Sequence, residues 1–93
     1  MNTANERREV HFSGRVQGVG FRFTTQAIAA RHPVRGFVRN LPDGRVLLLV
    51  EGTGEALDEF VEDVEAELDR YIARKEVAVL PATVEFSGFD VRR

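Results

Sequence analysis

Apolar positions recur along this 93-residue chain with two different periods, and the switches between them mark the elements. From Glu9 to Ser13 they alternate, with Val10 and Phe12 on one side and His11 on the other, which predicts a strand with His11 at its surface. From Phe21 to Arg31 the period becomes helical. Phe21, Thr24, Thr25 and Ile28 share a side, Ala27, Ala29 and Ala30 permit close packing, and Phe23 is a further candidate for burial. His32-Pro33 stops that helix, because a residue before proline avoids the α region, and His32 then stands near the negative end of the helix dipole. Val34 to Leu41 reads as a second strand, Pro42-Asp43-Gly44 as a hairpin turn, and Arg45 to Glu51 as a third strand. The apolar run Val46 to Val50 suits a central strand. Gly52-Thr53-Gly54 breaks it, and Thr53 is placed to cap the next helix. In that helix Leu57, Phe60, Val61, Val64 and Leu68 recur at spacings of three and four, as far as Asp69 or Tyr71. Ala73 to Glu76 reads as a charged connector, and Val77 to Leu80 with Thr83 to Val91 as one or two closing strands.

The predicted order is β-α-β-β-α-β. With right-handed crossovers it folds into an α+β, ferredoxin-like sandwich, two helices on one face of a mainly antiparallel sheet. Residues 1–8 are expected to form a polar tail, and residues 9–93 a single domain. That fold hosts many activities, so chemistry has to be sought in particular residues.

Composition narrows the chemistry. The chain has no cysteine, which excludes a disulfide framework, a thiolate nucleophile and a cysteine metal site, and its two histidines are too few for a histidine cage. No apolar run reaches the ~20 residues of a membrane span, and Met1 to Arg8 lacks the core of a signal peptide, so a cytoplasmic protein is expected. Eight of the fifteen acids lie between Glu55 and Asp69, leaving seven acids against thirteen bases elsewhere, a net charge of about +6. The acids read as a solvated outer helix face, and the basic remainder favours a small anionic ligand.

That remainder contains the most informative stretch, Gly14-Arg15-Val16-Gln17-Gly18-Val19-Gly20-Phe21-Arg22, set between the first strand and the first helix. N–H groups at a helix start lack intrahelical partners and carry the positive end of the dipole, and glycines let backbone curl around a phosphate. Arg22 falls where its guanidinium can grip two phosphate oxygens at once. Two better-known phosphate loops do not fit. Val19 stands where a Walker A loop needs glycine and no lysine follows, and the third glycine of a dinucleotide fingerprint is missing after Gly18-Val19-Gly20. The loop has the length of a phosphatase Cys-x5-Arg cradle, but without cysteine that chemistry is excluded.

Gly14 to Arg22, the strand Gly36-Phe37-Val38-Arg39-Asn40 and the Asp43-Gly44 hairpin together resemble the acylphosphatase family, whose signature is a G-x-V-Q-G-V-x-F-R loop followed by a G-W/F-V-x-N strand and a D-G turn. The closing Phe86 to Arg92 resembles the family's last strand, so the likeness covers residues 9–93. It implies hydrolysis of the carboxyl-phosphate anhydride of a small acyl phosphate without metal, cofactor or covalent intermediate. Arg22 would bind the phosphoryl oxygens, Asn40 would orient the attacking water, and the backbone of Arg15, Val16, Gln17, Gly18, Val19 and Gly20 would cradle the phosphate. Inorganic phosphate, the product, would compete with substrate, and the enzyme would work as a monomer without nucleic acid or membrane. Gly20, His32-Pro33-Val34 and Arg70 to Glu76 depart from the family's usual pattern. The chemistry agrees with these residues: a carboxylate leaves readily, so positioning and charge stabilisation suffice without a strong general acid.

Two rival readings stand beside this one. Similar loops begin larger carbamoyltransferases, so a module that binds phosphate without turnover, or handles carbamoyl phosphate, is the first; a 93-residue chain favours the standalone hydrolase. The second is RNA binding, since RNA-recognition modules share the element order. Arg35-Gly36-Phe37 starts their signature, but Arg39 and Pro42 stand where aromatic residues are needed.

Overall fold

The structure, a computed structural model, describes residues 5–93. Five strands and two helices follow one another: β1 (Asn5–Gly14), α1 (Phe21–Ala29), β2 (Arg35–Asn40), β3 (Val46–Thr53), α2 (Gly54–Leu68), a single 3-10 turn (Asp69–Tyr71), β4 (Ile72–Pro81) and β5 (Phe89–Arg92). The sheet order is β4-β1-β3-β2-β5, antiparallel throughout except for the parallel β2–β5 pair. This is the expected ferredoxin-like α+β sandwich.

Register explains the core. Val10 and Phe12 pair with Leu48 and Val46, which in turn pair with Val38 and Asn40, so all six share one face of the sheet. All five apolar members are fully buried, beneath Phe21 and Ile28 of α1 and Leu57, Phe60, Val64 and Leu68 of α2. Thr53 caps α2 as expected, its Oγ1 accepting from the Ala56 N–H at 3.2 Å. Leu48 and Val50 face the helices while Leu47 and Leu49 remain half-buried on the far face, which accounts for the unbroken apolar run of β3.

The structure corrects several expectations. Of the expected tail, residues 1–4 lie outside the described residues and Asn5 to Arg8 belong to β1. Arg7 and Arg8 are held there by carboxylates, Arg7 by Glu51 and Glu85 and Arg8 by Glu6 and Asp58. Ala73 to Glu76 is strand rather than connector, because β1 is long enough to pair with β4 from Glu6↔Pro81 down to Gly14↔Ile72. Of Thr83 to Val91 only the part from Phe89 onward is strand, and it aligns with Gly36 to Arg39 of β2.

The segment before β5 instead crosses the face of the sheet opposite the helices, where Glu51 holds it. Glu51 is completely buried. It accepts from the Thr83 N–H (2.8 Å), the Val84 N–H (2.9 Å), the Thr83 hydroxyl (3.1 Å) and Arg7 Nε (2.8 Å). Burial alone would push its carboxyl up, but the Thr83 N–H, the Arg7 guanidinium and the remaining donors outweigh it and hold the group below the usual carboxylate range. Phe86 completes the strap, edge-on to Phe37 at 5.9 Å with the Arg7 guanidinium 5.1 Å from its ring centre.

Candidate active site

The glycine loop hangs from fixed points. The Arg15 N–H donates to the Tyr71 carbonyl at 2.9 Å. Val16 inserts into the core with 0% exposure, and Val19 packs against the core from the side. The Gln17 amide donates to the carbonyls of Leu41 (2.8 Å) and Arg45 (2.9 Å), so one side chain ties the loop to the β2–β3 hairpin. Gly18 and Gly20 take positive φ, 78° and 80°, a conformation costly for residues with a Cβ.

Gly20 is also the residue that opens α1, without a side-chain cap and with no acid in the first turn to offset the dipole. Among the described residues, no backbone carbonyl accepts an N–H from Val16 through Phe23. The positive end of the helix dipole falls at the last of these donors, from Gly20 to Phe23.

A cavity of about 100 Å³ opens there, lined by Val16, Gly18, Gly20, Phe21, Arg22, Phe23 and Asn40. Val16, Gly18 and Gly20 come from the loop, Phe21, Arg22 and Phe23 from the first turn of α1, and Asn40 from the end of β2. Phe21 packs tilted against Phe12, ring centres 5.2 Å apart, and fixes the start of α1, which places Arg22 in its first turn. Arg22 donates from one terminal nitrogen to the Arg92 carbonyl of β5 at 3.0 Å, and among the described residues it has no carboxylate partner. Asn40 ends β2 opposite Val46, half-buried, and among the described residues its side-chain amide makes no hydrogen bond.

Of the eight residues singled out in the sequence, Val16, Gly18, Gly20, Arg22 and Asn40 come together around the cavity. Arg15, Gln17 and Val19 do not line it; they hold the loop. Arg15's N–H is turned away and spent on Tyr71. Phe23 lines the cavity and is 66% exposed, against the expectation of burial. Helical geometry carries the signal for this: two residues from both Phe21 and Thr25, Phe23 falls on the side opposite their buried stripe. His11 is half-buried on β1. His32 pairs through Nε2 with Asp63 of α2 at 2.7 Å and lies 5.6 Å from the Phe60 ring, so its partner is the second helix. Neither histidine lines the cavity.

Fold and cavity together define a ferredoxin-like α+β protein with an anion-suited loop at the strand-to-helix turn. Comparison with known proteins supplies the family. The acylphosphatase family profile matches residues 8–91. An acylphosphatase of Rubrobacter xylanophilus is 46% identical over 88 residues, 94% of this chain and 80% of the relative. One of Salinibacter ruber is 42% identical with both chains covered in full. The crystal structure of acylphosphatase from Bacillus subtilis superposes with a TM-score of 0.85 at 31% identity, over 95% of this chain and 99% of that one. The chain belongs to the acylphosphatase family.

Proposed function

We propose that the chain hydrolyses acyl phosphates to carboxylate and inorganic phosphate by direct attack of water on phosphorus. The observation that carries the reading is the meeting of Arg22, Asn40, Gly18 and Gly20 on one small cavity at the uncapped start of α1. The phosphoryl group sits in the loop, its oxygens taken by backbone N–H groups and by the Arg22 nitrogens that the Arg92 carbonyl does not use. That carbonyl fixes the guanidinium before substrate arrives, so little ordering remains to be done on binding.

Asn40 holds a water in line with the scissile bond through its unengaged amide. The water oxygen bonds to phosphorus as the phosphorus–oxygen bond to the acyl group breaks, the electron pair leaves with the carboxylate, and the water proton passes to the phosphate product. An amide serves here because the leaving carboxylate is stable and positioning is the main requirement. The reaction needs no cofactor, nucleic acid or membrane. Inorganic phosphate competes for the loop, and the enzyme works as a cytoplasmic monomer.

The test is hydrolysis of benzoyl phosphate with a chelator present, comparing wild type with Arg22→Gln. Loss of one preorganised donor at developing charge lowers kcat on the order of 10²–10³-fold. A folded wild type without turnover, or a variant with near-normal turnover, would sink the reading.

A further inference from the structure

We propose that Phe23 sets the acyl-group preference of this site: its exposed ring receives the acyl part of the substrate and favours aromatic acyl phosphates over short aliphatic ones. This rests on the reading above, that the loop and Arg22 hold the phosphoryl group.

The chain has seven phenylalanines. Six of them are matched with a ring or a cation: Phe12 with Phe21, Phe60 with Phe89 and His32, Phe37 with Phe86 and Arg92, and Phe86 also with Arg7. Among the described residues Phe23 alone is matched with neither, and it leaves 66% of its surface in water. An apolar ring so placed contributes little to the fold. It lies one residue from Arg22, on the wall shared with Asn40, Gly18 and Gly20.

At roughly 100 Å³ the cavity, with Gly18, Gly20, Arg22 and Asn40 in its lining, has a volume suited to the phosphoryl group, so a bulky acyl group extends past the rim. The other apolar residues of the lining, Val16 and Phe21, are buried beneath it at 0% and 2% exposure. Phe23 is the lining residue with apolar surface still to offer. A flat aryl group laid against it removes apolar area from water on both partners and adds ring–ring attraction, whereas an acetyl group is too small to cover the ring.

The experiment measures kcat/KM for benzoyl phosphate and acetyl phosphate with wild type, Phe23→Ala and Phe23→Leu. Phe23→Ala lowers the ratio of the benzoyl phosphate value to the acetyl phosphate value about tenfold, while Phe23→Leu falls between. Because the ring is exposed, the substitution spares the fold, and an unchanged urea midpoint reports that. An equal loss for both substrates, or no loss for either, overturns the role of Phe23 while the hydrolase reading stands. No turnover of either substrate by folded wild type overturns both.

Discussion

Replacing Glu51 by glutamine tests what closes the back of the sheet. The carboxylate takes four donors and is wholly buried, with Arg7 as its counter-charge. Glutamine keeps one acceptor oxygen. Turned toward Thr83 and Arg7, it sets its own NH2 group against the Val84 N–H, leaving a buried donor unmatched and Arg7 without its buried counter-charge. An unsatisfied buried group costs about 1–3 kcal/mol, and breaking a buried ion pair about 3–5 kcal/mol. Because glutamine retains three of the bonds, a loss of about 3 kcal/mol is expected, or roughly 12–24 °C in Tm for a domain of this size.

The sign of the pH dependence follows from Glu51 titrating lower when folded than when unfolded. Its charge contributes fully above the unfolded value of about 4.3, and the contribution is lost as pH falls through the lower folded value. The gap between wild type and Glu51→Gln is therefore full near pH 7 and closes to under about 1 kcal/mol once wild-type Glu51 is protonated. Urea unfolding at pH values from about 7 down to about 2 reads both numbers. A gap under about 1 kcal/mol at neutral pH, or one that stays constant into acid, would refute the account.

Two other substitutions separate chemistry from scaffold. Asn40→Ala should lower kcat by about 10²-fold while the inhibition constant for inorganic phosphate stays within about twofold; a large loss of phosphate affinity would move Asn40 into ligand binding. Gly36→Ala should cost more than about 4 kcal/mol, because the added Cβ would stand 1.9 Å from the Leu49 carbonyl oxygen, backbone that no rotamer change can move, at φ +149°. A urea midpoint near that of wild type would contradict the clash.

Local signals carried far. The loop, the Asp43-Gly44 turn and the two helical periods each lie within a few residues and obey one rule, so the elements around the cavity were legible in the chain. What escaped depends on partners distant in sequence. Glu51 follows the apolar run of β3 without any local sign of burial, and its donors Thr83 and Val84 lie 32 and 33 residues later. Ala73 to Glu76 is too charged to announce a strand, and only a ten-residue β1 beside it makes one. The loop's signature gave its residues one common role, yet the fold divides them between walls and moorings. Gln17 is a mooring because two hairpin carbonyls, 24 and 28 residues away, converge on its amide.

The hydrogen bond from Arg22 to the Arg92 carbonyl joins residues 70 positions apart. During synthesis at about 5–20 residues per second, the arginine therefore exists for several seconds before the carbonyl that aims it. Strand β5 must also dock in parallel beside β2, a pairing with high closure entropy that forms late for physical reasons. Under the proposed mechanism, a nascent or refolding chain can hold its core and its glycine loop and still be inert. The return of turnover then times the closing of the sheet, and catalysis serves as the clock for the last step of folding.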